Sequence, residues 1–235
     1  MMSKESYKMD MCNGPVLQKV IAFSLPLMLS SCLQLLFNAA DVIVVGRFAG
    51  STSLAAVGST TELLSLLTTL FIGFSIGANV NVARTLGNQD DQGTKDGIHT
   101  AVSVSILSGS AMILLGFLFG RPMLQWMGTP VDVIDKASLY LMIIFIGMPS
   151  NMAYNFGSAI LRAMGDTKRP LYFLSAAGVL NVVLNLIFVI VLHMDVAGVA
   201  LATILSETLS AVLILNCLCR TDGPCHLNIR KLYIQ

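Results

Sequence analysis

VLQKVIAFSLPLMLSSCLQLLFNAADVIVV, residues 16–45, carries only two charges, Lys19 and Asp41. A helix rises about 1.5 Å per residue and about 20 apolar residues cross a bilayer, so this run is long enough to span one. It is too long for the apolar core of a signal peptide. The ten residues at the start of the chain are mixed in charge, and no small-residue cleavage pattern precedes Asp41. The first helix is therefore expected to be retained. Five further stretches have the same character: 54–83, 98–119, 131–161, 171–192 and 196–218. The expected fold is all-α and integral to the membrane, one bundle of six transmembrane helices without an internal repeat.

Composition agrees. Of 235 residues, 55% are hydrophobic and only 11% charged, and mean hydropathy is +0.77, outside the balance of a water-soluble domain. The connectors expected at 46–53, 87–97, 120–130, 164–170 and 193–195 are too short to form a catalytic domain outside the membrane. The chain divides into a segment 1–15, a six-helix body 16–219 and a segment 220–235. Pro26 and Pro149 fall inside spans, where a lost backbone hydrogen bond allows a bend, read here as static.

Charge placement orients the bundle. With the N-terminus inside, Lys4, Lys8, Lys19, Arg84, Lys95, Arg162, Lys168, Arg169, Arg220, Arg230 and Lys231 fall on the inner side, and Arg47, Arg121 and Lys136 on the outer. That imbalance predicts both termini in the cytoplasm. The net charge of +1 comes without a basic cluster, so nucleic acid is not an expected partner. Cys12, Cys32, Cys217, Cys219 and Cys225 are odd in number and imply no disulfide framework. Together with His226 the last three match no standard zinc spacing, so no metal is expected beyond a possible sodium ion.

Polar groups inside the spans carry the functional signal. A charged side chain at mid-membrane costs about 2.5–3.5 kcal/mol on insertion scales, so it faces a cavity or a partner. Ser31, Gln34, Asn38 and Asp41 recur at three and four residues and share one face of the first helix. Counting from the outer ends, Asp41, Asn185 with Asn181 one turn deeper, and Thr203 with Glu207 one turn deeper lie in one layer. A carboxylate with amide and hydroxyl oxygens at one depth can hold a proton or an alkali cation. The competing reading takes Asn181, Asn185 and Thr203 as interhelical hydrogen bonds, worth about 0.6 kcal/mol each. Glu62 either joins a cavity, snorkels or pairs across helices, and Glu207 either joins a cavity or is neutral and hydrogen-bonded to backbone. Asn151 and Asn155 read as packing near an inner mouth by Arg162. Phe37, Tyr140, Tyr154, Phe156 and the methionines either line a pliable pocket or pack in the core or against lipid. No phosphate-binding loop, HExxH or nucleophile–base pair is present, so neither ATP-driven chemistry nor an enzyme is expected.

The segments AFSLPLML (22–29), NAADVIVVGR (38–47), LAAVG (54–58) and LRAMGDTKRP (161–170), with Asn181 through Asn185, resemble the first half of MATE (multidrug and toxic compound extrusion) transporters. The resemblance covers nearly the whole chain. It implies one six-helix lobe of a two-lobed, multi-pass transporter of the MOP superfamily in the bacterial plasma membrane. Such a protein exports drugs and toxic organic compounds, often cationic, in exchange for H+ or Na+, without another cofactor. It also implies that Asp41, Asn181, Asn185 and Thr203 form the ion-coupling site, with Gln34, Asn38, Glu62, Asn155 and Glu207 as candidates for the cavity wall. The implied partners are the lipid bilayer, a small-molecule drug, and a second six-helix lobe or second copy. Two alternatives stand beside this: a lipid-linked precursor flippase of the same superfamily, which would need a cationic cavity, and a truncated membrane protein that does not transport.

Overall fold

A computed structural model describes residues 16–221 and 225–227, so the segment 1–15, with Lys4, Lys8 and Cys12, and most of 222–235 lie outside the described residues. Among the described residues there are six helices long and apolar enough to cross a membrane. They are α1 (Val16–Val44), α2 (Ser51–Gly87), α3 (Asp91–Trp126), α4 (Ile134–Ala163), α5 (Lys168–Asn185) and α6 (Asp195–Cys219). α1 and α5 are prolonged by π-helical turns at Val45–Ala49 and Leu186–Val191.

The connections are tighter than composition suggests. The α1–α2 break is essentially Gly50, whose φ of +88° is open to glycine and costly to other residues. The remaining 46–49 and 51–53 are helical. Only 88–90 break α2 from α3, since Asp90 caps the new helix by accepting from Gly93 N–H at 2.9 Å. α3 runs through Pro122 to Trp126, and α4 begins at Ile134 rather than 131. α5 starts at Lys168 because the Asp166 carboxylate takes the free N–H groups of Lys168 and Arg169. Polar residues and glycines in these stretches cap and continue helices instead of forming loops, and the last break falls at 192–194.

α4 is the central helix, packed on α2, α3 and α6, while α1 is mostly exposed and leans on α5. Two apolar clusters stack along the bundle. One joins Val45, Val57, Met112, Leu141, Phe145, Val199 and Ala200; the other joins Val82, Ile98, Phe156, Ile160, Ala211 and Ile214. Between them, on α6, lie Thr203, Glu207, Thr208 and Ser210. The polar layer is thus held at mid-depth by apolar packing above and below. The backbone of Pro149 lies directly against Gly109 of α3. Tyr140 and Phe156 are core residues, and Phe37 packs on Gly178.

At the end bearing Arg47 and Arg121, Lys136 Nζ donates to Asp195 Oδ2 at 2.5 Å and to Ser53 Oγ at 2.9 Å, tying α4 to α6 and α2. The two side chains are 39% and 35% exposed, so solvent screens the pair. Lys136→Met is expected to lower the stability of the purified chain in detergent by less than about 1 kcal/mol. Thermal unfolding across a salt series checks this, and a larger, salt-independent loss would contradict it.

Candidate ion-coupling site

The meeting of α1 with α5 builds the site. Gly178 has no Cβ, and one placed there would overlap the Phe37 ring, so α1 can seat this close only over a glycine. One turn along, Asp41 follows Phe37 on its face, and Asn181 and Asn185 follow Gly178 on theirs. The close crossing therefore brings carboxylate and amides together. Sequence reading passed over Gly178; its spacing of three and seven residues from the two asparagines was the available signal.

The four residues form one chain of hydrogen bonds. Asn185 Nδ2 donates to Asp41 Oδ1 at 2.5 Å and to Asn181 Oδ1 at 3.2 Å. Asn181 Nδ2 reaches Thr203 Oγ1 at 3.5 Å, and Thr203 Oγ1 donates to Val199 O at 3.0 Å. Asn181 and Asn185 are 5% and 1% exposed, so these amides are committed to the interior. With Asp41 ionised, only the amide nitrogen of Asn185 can face it. That orientation leaves Asn185 Oδ1 buried without a hydrogen-bond partner among the described residues. An unmet buried acceptor costs about 1–3 kcal/mol, and a cation or an added proton beside Asp41 would satisfy it. Asp41, Asn181, Asn185 and Thr203 together offer the all-oxygen set that hard cations take.

Glu207 belongs elsewhere. Its Oε1 accepts from Asn151 Nδ2 at 2.8 Å, and Asn155 Nδ2 bonds the carbonyl and side-chain oxygens of Asn151 at 2.9 and 2.8 Å. Ser150 and Thr208 hydroxyls meet alongside at 3.1 Å. This second network crosses the α4–α6 seam rather than joining Asp41. Glu62 and Asn38 are exposed and make no hydrogen bond or ion pair among the described residues. Gln34 and Asn155 line a cavity of about 450 Å3 between α1, α2, α4 and α5, in the half of the bundle nearer the α4–α5 turn. Asn79, which the sequence did not single out, lines it too and donates to Ala159 O at 2.6 Å.

A MatE family model matches residues 26–187, more than half of the chain. The chain belongs to the MatE family. "Probable multidrug resistance protein YpnP" of Bacillus subtilis is 34% identical over 202 residues, covering 84% of this chain and 44% of that protein. A crystal structure of MATE in the bent conformation superposes with a TM-score of 0.87 at 26% identity, over 94% of this chain and 50% of that one. An outward-facing multidrug resistance MATE family transporter of the MOP superfamily gives 0.83 at 27% identity, over 92% and 48%. The chain spans about half the length of the relatives it matches. These MatE relatives are transporters rather than enzymes, and this chain, with six membrane-length helices, is a multi-pass membrane protein of bacterial kinship.

Proposed function

We propose that this chain is the ion-coupling lobe of a secondary multidrug exporter, working with a second six-helix lobe or a second copy of itself. The observation that carries the reading is the hydrogen-bonded chain from Asp41 through Asn185 and Asn181 to Thr203, which joins three helices around one carboxylate. Binding of H+ or Na+ at Asp41 replaces a buried charge by a neutral group or a compensated pair, and so changes the cost of closing α1 onto α5. A ligand moves a conformational equilibrium only by its differential affinity for the two states, and a carboxylate that is wet in one and dry in the other supplies that difference. A cationic or amphiphilic drug then leaves in exchange for the ion.

The positive charges expected inside orient both termini, with 1–15 and 220–235, toward the cytoplasm of a bacterial cell. The second lobe completes the drug cavity. A flippase for lipid-linked precursors would need a cationic cavity for a pyrophosphate head; it receives less support, because the charged group of the hydrogen-bonded layer is the anion Asp41 and the cavity lining holds a single cation, Arg162, among the described residues.

The test is dye efflux from vesicles holding the chain alone or joined to a second six-helix lobe, under an imposed proton or sodium gradient in turn. Efflux driven by one gradient and absent without it is expected of the joined form. Efflux indifferent to both gradients would refute coupling. Gradient-driven efflux from the short chain would mean that two copies assemble.

A further inference from the structure

The 450 Å3 cavity contains a charge that the Asp41 layer does not use. Its lining includes one charged residue among the described residues, Arg162, the last but one residue of α4. A guanidinium has five N–H donors. Arg162 spends Nε on the carbonyl of Ser158 at 3.1 Å, and its terminal nitrogens have no hydrogen bond or carboxylate partner among the described residues.

The carboxylates that could have paired with it are committed elsewhere. Asp166 is fully buried against Arg169 and the start of α5, and Glu207 is held by Asn151. A partly buried guanidinium without a counter-charge is costly, and its planar fork suits two-point binding of a carboxylate or phosphate. Phe23, Leu27, Ile76 and Leu174 give the same cavity apolar surface, beside the hydroxyls and amides of Ser30, Ser31, Gln34 and Ser75. The volume falls within the range of small-molecule sites.

We propose that this cavity binds an amphiphile with one anionic head, its carboxylate or phosphate paired with Arg162 and its apolar body laid against α1, α2 and α5. The two ends of the bundle then divide the labour: the Asp41 carboxylate for the coupling ion toward the Gly50 break, the Arg162 guanidinium for the ligand's head nearer the α4–α5 turn. As a transported class this rests on the export reading; as a binding site it does not, and it is tested without transport.

The chain is reconstituted in phosphatidylcholine nanodiscs and titrated with a dansylated undecanoic acid, with empty discs subtracted. Its methyl ester, equal in body and lacking the charge, is run in parallel on the unaltered protein. The acid is expected to bind about tenfold or more tightly than the ester, and Arg162→Gln to remove that advantage. Leu27→Trp, which fills the cavity and keeps Arg162, is expected to weaken acid and ester alike, with thermal midpoints reporting that each variant is folded. Equal affinity for acid and ester would overturn the proposal, as would unchanged binding in both variants. Competition by phosphatidylglycerol placed in the disc identifies a bilayer lipid as the source of the head, and competition by dodecyl phosphate alone a soluble amphiphile; either supports the site. Competition by inorganic phosphate as strong as by dodecyl phosphate would reduce it to a simple anion site and refute the apolar half of the proposal.

Discussion

Asp41→Asn is expected to abolish ion-driven efflux in the two-lobed protein while leaving its insertion intact and its stability equal or higher. The substitution is nearly isosteric, so the packing of Phe37 on Gly178 and the approach of α1 to α5 survive it. The single change is that the group at the head of the Asn185–Asn181–Thr203 chain no longer takes up a proton or pairs with a cation. Allosteric couplings are typically about 1–3 kcal/mol, or about 5- to 150-fold in affinity, and without an ion-binding group that coupling is gone, so a gradient no longer drives efflux. Stability should move the other way, because the native carboxylate is a partly buried charge inside a membrane helix and Asn is neutral. Efflux and thermal unfolding are measured on the same preparations. A variant that is destabilised as well as inactive would make Asp41 a packing residue, and one with unchanged efflux would remove it from coupling.

Sequence legibility divides along a physical line. Helix count and face depend on local periodicity, and the apolar runs with their three- and four-residue polar spacings are written in the chain. Asp41, Asn181, Asn185 and Thr203 were singled out from those spacings, and hydrogen bonds join them in the structure. Partnership depends on how helices cross, which periodicity does not encode. Glu207 shares a face with Thr203 yet bonds Asn151 across the α4–α6 seam, an interhelical hydrogen bond of the kind expected of the α4 asparagines. Glu62 has the same chemistry and faces outward.

Helix ends were the least legible feature. Glycines and charges at 46–49, 91–97 and 120–126 looked like loops and are helical, since a membrane helix can extend past the hydrocarbon into polar residues. The π-helical turns directly after Asp41 and Asn185 had no visible signature, because Val45–Ala49 and Leu186–Val191 are mostly apolar like the helices they extend. Their position matters nonetheless. Such turns cluster at functional sites, and here each sits within one turn of a residue in the Asp41 chain, where α1 and α5 meet.

Gly109→Ala should destabilise the bundle by about 1–3 kcal/mol, the usual cost of forcing a methyl into a packed interface. A Cβ at this position would stand 2.5 Å from Pro149 Cα and 2.9 Å from Pro149 N. Those are backbone atoms of a central helix, so no side-chain rotation relieves the overlap and α3 must draw away from α4. In water, alanine would recover about 1 kcal/mol of helix propensity over glycine. In a bilayer the helix forms whether or not it is packed, because its backbone groups have no other partners, so that gain cancels and the overlap stands alone. Gly73 of α2 supplies the contrast, with nothing within 4 Å of its would-be Cβ. Gly73→Ala in the same chain should therefore fall within about 0.5 kcal/mol of the parent. Unfolding of the two variants side by side in detergent decides the matter: equal midpoints would mean that α3 and α4 are free to separate by the width of a methyl group, and that the α3–α4 seam is softer than its glycine contact implies.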